Sequence, residues 1–130
     1  MEDKRSIRQR MRVLKAALTS EEREDAARRI FERLERLPVF ARAGSILLYH
    51  ALPDEVPTET FIEKWCGEKT VLLPRVKGDL LKIGVYRPGK LKKGSYGIAE
   101  PTGEEEIAPG RIDLIVVPAV AYDRCSNRLG

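Results

Sequence analysis

Apolar positions in the first third of the chain recur with helical spacing. Ile7, Met11, Leu14 and Leu18 follow one another at intervals of four, three and four, which predicts an amphipathic helix over residues 4–18. Thr19 with Glu22 forms a capping-box pattern, and Ala26, Ala27, Ile30, Leu34 and Leu37 predict a second helix that Pro38 stops. The pattern then changes. Ser45 to Tyr49 is apolar almost throughout, as in a buried strand of a parallel sheet. After a turn with two prolines, Thr58 to Cys66 predicts a third helix with Phe61, Ile62 and Trp65 inward, and Thr70 to Pro74 a second strand that completes a βαβ unit. Leu80 to Tyr86 reads as an extra strand joined through the Lys77-Gly78-Asp79 turn. The charged, Gly- and Pro-rich segment from Arg87 to Gly110 is expected to run over the surface before Ile112 to Val117 returns as the third core strand.

This order predicts an α/β fold: three layers, a mainly parallel sheet, and helices on both faces. With 130 residues the chain suits one core, and nothing reads as a linker, so residues 1–130 are expected to form a single domain. No stretch approaches the ~20 apolar residues of a membrane span and the N-terminus is charged, so a cytoplasmic protein is expected. Cys66 and Cys125 lie far apart, outside any Cys-x-x-Cys pair, and read as free thiols.

The net charge of +4 is unevenly placed. Lys4, Arg5, Arg8, Arg10, Arg12 and Lys15 stand on the first helix with no acid among them. Such a run suits nucleic acid, an acidic partner or a phosphorylated ligand, and equally a solvated helix face. In open α/β sheets ligands sit outside the carboxyl ends of the strands. Three segments are expected there: His50 to Pro57, Pro74 to Lys77, and Pro118 to Gly130. They carry Asp54, Glu55, Arg75, Tyr122, Asp123 and Arg128 as candidate ligand groups. Asp54 and Glu55 also read as an acid pair favoured by a helix dipole. His50, the only histidine, supports no triad, and no metal-ligand cluster is visible.

Six segments stand in order along the chain: Lys4 to Arg8, Asp54-Glu55, Leu73-Pro74-Arg75, Tyr96 to Pro101, Asp113 to Pro118, and Tyr122-Asp123 with Asn127 to Gly130. Together they resemble the 5-formyltetrahydrofolate cyclo-ligase family, also called methenyltetrahydrofolate synthetase. None is specific alone; the ordered set covers nearly the whole chain. The resemblance implies a Rossmann-like fold, incomplete at the C-terminus, and an ATP- and magnesium-dependent closure of 5-formyltetrahydrofolate to 5,10-methenyltetrahydrofolate with release of ADP and phosphate. In that reaction the formyl oxygen is phosphorylated, a neighbouring folate nitrogen attacks, and phosphate leaves. Positioning and charge neutralisation do most of the catalysis, and no nucleophilic side chain is needed.

By resemblance, ATP binding falls on Lys4, Arg5, Arg8, Arg128, Leu129 and Gly130, and substrate binding on His50 and Glu55, with Glu55 accepting from the pterin N–H groups. The family loop continues past Arg-Leu-Gly through further glycines to Tyr-Tyr-Asp, whose aspartate helps hold magnesium. The chain is therefore expected to be a truncated member with impaired turnover and without the metal ligand. Ser126, preceded by Cys125, stands where the family commonly has glycine. The expected partners are the folate substrate and ATP, with a monomeric chain and no membrane or nucleic-acid partner. Two other readings are a folate- or nucleotide-binding paralogue without turnover, and a nucleic-acid-binding domain using the basic helix. The few aromatics, set apart from the basic run, argue against the last.

Overall fold

The structure is a computed structural model and describes residues 2–94, 97–103 and 105–130. Tyr96, which opens one of the six family-like segments, lies outside the described residues. Helix α1 spans Lys4–Ala16, α2 Ser20–Glu35, α3 Pro38–Arg42 and α4 Glu59–Trp65. The strands are β1 Ser45–Leu47, β2 Thr70–Lys77, β3 Leu80–Val85, β4 Leu91–Lys93, β5 Ala99–Pro101, β6 Leu114–Ile115, β7 Ala121–Tyr122 and β8 Arg128–Leu129. A four-stranded sheet has the order β3-β2-β1-β6; β1 runs parallel to β2 and β6, and β3 is antiparallel to β2. Two small antiparallel ribbons, β4-β5 and β7-β8, flank it.

Local chemistry sets the helix ends. Asp3 caps α1 by accepting from the Ser6 N–H at 2.7 Å. The predicted capping box closes α2: the Glu22 N–H donates to Thr19 Oγ1 at 3.1 Å and the Thr19 N–H to Glu22 Oε1 at 3.0 Å. Pro38 ends that run and also begins the unforeseen α3, where its missing N–H costs nothing in the first turn.

The core lies between α2, α3, α4 and the β1-β2 pair. Phe31 stacks on Phe61 with ring centroids 4.3 Å apart, and Phe40 meets Trp65 edge-on at 4.9 Å. Ile46, Leu48, Val71 and Leu73 complete the cluster from the sheet. Lys69 donates to the Phe40 and Ala43 carbonyls at 2.9 and 2.7 Å, satisfying the C-terminal carbonyls of α3.

Strand β2 is longer than its sequence suggests. Leu48 N–H donates to Leu72 O and Tyr86 N–H to Val71 O, so Leu72, Pro74 and Val76 turn their backbone polar groups toward the β1 side. Strand β1 ends opposite Leu72, so Pro74, which has no N–H, removes no ladder bond there. The Val76 N–H finds the buried carboxylate of Glu100 at 2.8 Å instead. Pro74 to Lys77 is thus strand, not an open loop, and pairs with Ile83 to Leu80. The hairpin turns at Gly78, whose φ of 63° suits the first central position of a two-residue turn.

The surface excursion after Arg87 contains the β4-β5 ribbon, and β6 is only the central part of the predicted third strand. Asp113, just before β6, accepts the Gly44 and Ser45 N–H groups at 2.8 and 3.1 Å and fixes β6 to the start of β1. Helix α1 departs furthest from expectation: Ile7 and Met11 are half-buried, whereas Leu14 is 56% and Leu18 44% exposed.

Candidate functional site at the carboxyl edge

Parallel strands β1 and β6 leave the sheet on the same side. Strand β1 passes into the loop from Leu48 to Thr58, and β6 passes through Pro118 to the β7-β8 ribbon. Helix α1 spans the two exits and lies against β7.

At its first end, Arg8 donates through Nε and Nη2 to the Gly130 backbone oxygen at 3.1 and 3.0 Å. At its other end, Lys15 Nζ lies 4.0 Å from Asp54 Oδ2. Arg23 of α2 ties the same corner, donating to the Lys15 carbonyl at 2.7 Å and to the Pro53 carbonyl at 3.3 Å. The basic helix is therefore a bar held at both ends against the predicted ligand-binding segments. A groove of about 690 Å³ runs along its face carrying Arg5, Arg8 and Arg12. Lys4 stands one turn before Arg8 and is exposed.

The β7-β8 ribbon is organised by one carboxylate. Asp123 accepts from the Cys125 and Asn127 N–H groups at 2.8 and 2.9 Å and from the Asn127 side chain at 2.8 Å. The Asn127 side-chain bond, with these backbone bonds, holds its carboxyl below the ordinary range. Ser126 in this turn has φ 65°, the left-handed region where glycine is at home. Arg128 donates to the Pro118 carbonyl at 3.0 Å, closing the ribbon on the segment after β6. Asp123, singled out as a ligand group, is thus occupied in shaping the turn, while Tyr122 is exposed.

The loop after β1 is braced from within. Thr58, fully buried, donates to the Tyr49 carbonyl at 2.7 Å and accepts the Ala51 N–H at 3.1 Å. The Tyr49 hydroxyl donates to the Val56 carbonyl at 3.0 Å. Burial pushes the Tyr49 phenol up to about 12, with nearby Glu55 and Tyr122 adding to the effect, so it remains a donor at neutral pH. Glu55 Oε1 accepts the Leu52 N–H at 2.8 Å while its own N–H returns to the Leu52 carbonyl at 3.0 Å. The half-buried Glu55 carboxylate is thereby held in one place, and half-buried His50 stands at the start of the same loop.

Tyr49 and Thr58 were missed as positioning residues. The one signal was a threonine at a helix entry, and its hydroxyl turns back into the loop instead of capping α4. Arg75 does not join the loops. Its Nη1 donates to the Gly103 carbonyl at 2.6 Å and its Nη2 lies 3.6 Å from Glu106, on the β2-β3 hairpin. Among the described residues no three His, Cys, Asp or Glu side chains converge to hold a metal ion, and no helix is long and apolar enough to cross a membrane.

A model of the 5-formyltetrahydrofolate cyclo-ligase family matches residues 1–130. The 5-formyltetrahydrofolate cyclo-ligase of Haemophilus influenzae is 28% identical over 134 residues, covering 98% of this chain and 72% of the relative. That of Mycolicibacterium smegmatis is 41% identical over 102 residues, covering 72% of this chain and 46% of the relative. Among solved structures, the 5,10-methenyltetrahydrofolate synthetase of Aquifex aeolicus superposes with a TM-score of 0.89 at 30% identity, over 98% of this chain and 66% of that one. The chain thus spans between about half and three quarters of the length of these proteins.

Proposed function

The chain belongs to the 5-formyltetrahydrofolate cyclo-ligase family, and from that premise we propose that it converts 5-formyltetrahydrofolate to 5,10-methenyltetrahydrofolate with ATP, releasing ADP and phosphate. The formyl oxygen takes the terminal phosphoryl group and ADP leaves. A folate nitrogen then forms the new C–N bond at the formyl carbon, and phosphate departs with the former formyl oxygen.

Both steps need opposing charge on phosphate and a fixed folate more than they need a reacting side chain. Lys4, Arg5 and Arg8 meet the triphosphate from α1, with Arg128, Leu129 and Gly130 contributed by the ribbon strand whose end Arg8 contacts. Arg8 brings a planar guanidinium charge to the phosphates from the position that its Nε and Nη2 bonds to the Gly130 oxygen fix. Glu55 accepts from the N–H groups of the pterin, in the orientation that its bond to the Leu52 N–H imposes. His50 lines the same side of the folate. Magnesium, when bound with ATP, would add charge neutralisation on the phosphates; the described residues do not themselves form a cluster for it.

The contact between Arg8 and Gly130 carries this reading, because it joins the first helix to the last ribbon across 122 positions of sequence. The test is to incubate the protein with 5-formyltetrahydrofolate, ATP and magnesium and follow the absorbance of the methenyl product. ATP-dependent product formation that needs more ATP in Arg8→Ala supports the assignment. Calorimetric binding of folate and ATP without turnover would instead identify a binding paralogue.

A further inference from the structure

Arg23 is the fourth residue of α2, and its guanidinium is shared between two other segments. Nη2 donates to the Lys15 carbonyl at 2.7 Å, in the last turn of α1, and Nη1 donates to the Pro53 carbonyl at 3.3 Å. Satisfying a carbonyl at the end of α1 accounts for the first bond. It does not account for the second. A cation this near the start of a helix also gains nothing from the helix dipole, so α2 itself does not call for an arginine here.

The second bond falls on the turn that carries Glu55. That turn is closed by the Glu55 N–H donating to the Leu52 carbonyl at 3.0 Å and by the Leu52 N–H donating to Glu55 Oε1 at 2.8 Å. Pro53 and Asp54 are its central residues, and both are tied to Lys15. Asp54 is tied directly, with Lys15 Nζ 4.0 Å from its Oδ2, but its side chain is 68% exposed and the pair is long, so the tie is weak. Pro53 is tied through the half-buried Arg23, whose planar fork reaches both carbonyls at once.

Lys15 stands about two helical turns, or roughly 10 Å, beyond Arg8 on the same face of α1. The helix therefore carries at one end the arginine that meets Gly130, and at the other the carbonyl against which the Glu55 turn is set. None of the 13 residues of α1 is fully buried, so its end contacts do much to fix its place. A ligand that immobilises Arg8 immobilises the helix, and through Arg23 the turn.

We infer that Arg23 is a positioning residue that couples nucleotide binding on α1 to folate binding at the Glu55 turn. The inference rests on the nucleotide reading of Arg8 and the folate reading of Glu55. Ordering α1 and the turn is a cost met by whichever ligand binds first, so the second binds more tightly. The factor is the same in either order.

The experiment is calorimetry of 5-formyltetrahydrofolate with and without a saturating ATP analogue that cannot transfer its terminal phosphoryl group, in magnesium, and the reverse titration. In the wild type each ligand should tighten the other by about tenfold, and the two factors should agree. Arg23→Ala should bring the factor to within about twofold of one. Arg23→Lys keeps the charge and the apolar stem but reaches one carbonyl, and should give an intermediate factor. The ratio is decisive because a loss of folded protein lowers the active fraction for both titrations alike and leaves it unchanged. Direct contact between the two ligands would likewise survive the substitution. A wild type without coupling, or coupling undiminished in Arg23→Ala and Arg23→Lys, overturns the inference and leaves the functional reading standing; a wild type that fails to bind one of the two ligands overturns both.

Discussion

The Arg8 guanidinium donates two hydrogen bonds to the backbone oxygen of Gly130, at 3.1 and 3.0 Å. Both partners lie on the surface, so the contact adds little to stability, where exposed polar pairs are worth about 0–1 kcal/mol. Its consequence is positional, bringing a planar cation to the ribbon that follows β6. Arg8→Ala should therefore raise KM for ATP by about ten- to a hundredfold, the range of a lost charge-assisted bond, with a melting temperature nearly that of wild type. Arg8→Lys keeps the charge but not the fork, and should recover only part of the loss. Steady-state kinetics beside a thermal melt checks both.

Glu55 does two things that one pair of substitutions can separate. Its Oε1 holds the loop through the Leu52 N–H, and its charge is available to a cationic or N–H-rich ligand. Glu55→Gln retains an acceptor for Leu52 and loses the charge, whereas Glu55→Ala loses both. Folate affinity should fall by about tenfold in the first and further in the second. Equal affinity in Glu55→Gln and wild type would limit Glu55 to holding the loop.

Legibility in the sequence followed how local the cause was. The capping box of Thr19 and Glu22 depends on residues three apart and was read correctly, as was the apolar face of Phe61 and Ile62. Pro74 misled because proline normally marks the end of a central strand. Here it is tolerated because β1 stops beside it, a tertiary fact no local pattern carries. That error placed Arg75 in a ligand loop when it belongs to a hairpin ion cluster. Leu14 and Leu18 have helical spacing yet remain exposed, since periodicity shows which residues share a face and not what covers it. Lys4, Arg8 and the Arg128 segment were read partly from spacing and partly from resemblance, and the structure brings Arg8 and Gly130 into contact. The bracing of the β1 loop by Tyr49 and Thr58 had no signal beyond a threonine at a helix entry, because it depends on how the chain folds back across nine positions.

Thr58→Val preserves shape at a fully buried site and removes a hydroxyl that makes two hydrogen bonds. The Tyr49 carbonyl and the Ala51 N–H then lose their partner. The expected destabilisation is about 2–3 kcal/mol, from the cost of stranded buried polar groups. Urea unfolding should show a lower midpoint at an unchanged slope. Thr58→Ser restores both bonds and should recover most of the loss.

Ser126 adopts φ 65° in the turn that Asp123 organises. A side chain in that region costs about 1–2 kcal/mol, which glycine avoids, while glycine's freer unfolded chain returns part of the difference. Ser126→Gly should stabilise the protein by about 0.5–1 kcal/mol, and Ser126→Val should destabilise it by more than that. Paired thermal melts of the two variants decide it.

Asp113 links the fold to pH. The Gly44 N–H, and then the Ser45 N–H, stabilise its ionised form and hold its carboxyl below the ordinary value. A carboxyl depressed in the folded state binds protons more readily when unfolded. Its contribution is therefore complete above the unfolded value near 3.9, and is lost as pH falls through the lower folded value. Asp25 and Asp123 are shifted in the same direction by Arg28 and Asn127 and add to the acid sensitivity. Asp113→Asn keeps one acceptor for the Gly44 and Ser45 N–H groups but cannot titrate. Melting temperature against pH should place this variant below wild type at neutral pH, with a shallower fall in acid, so that the curves converge once the pH has fallen through the lowered folded value and the wild-type carboxyl is also neutral. A constant separation at every pH would show that Asp113 acts through its shape and hydrogen bonding alone.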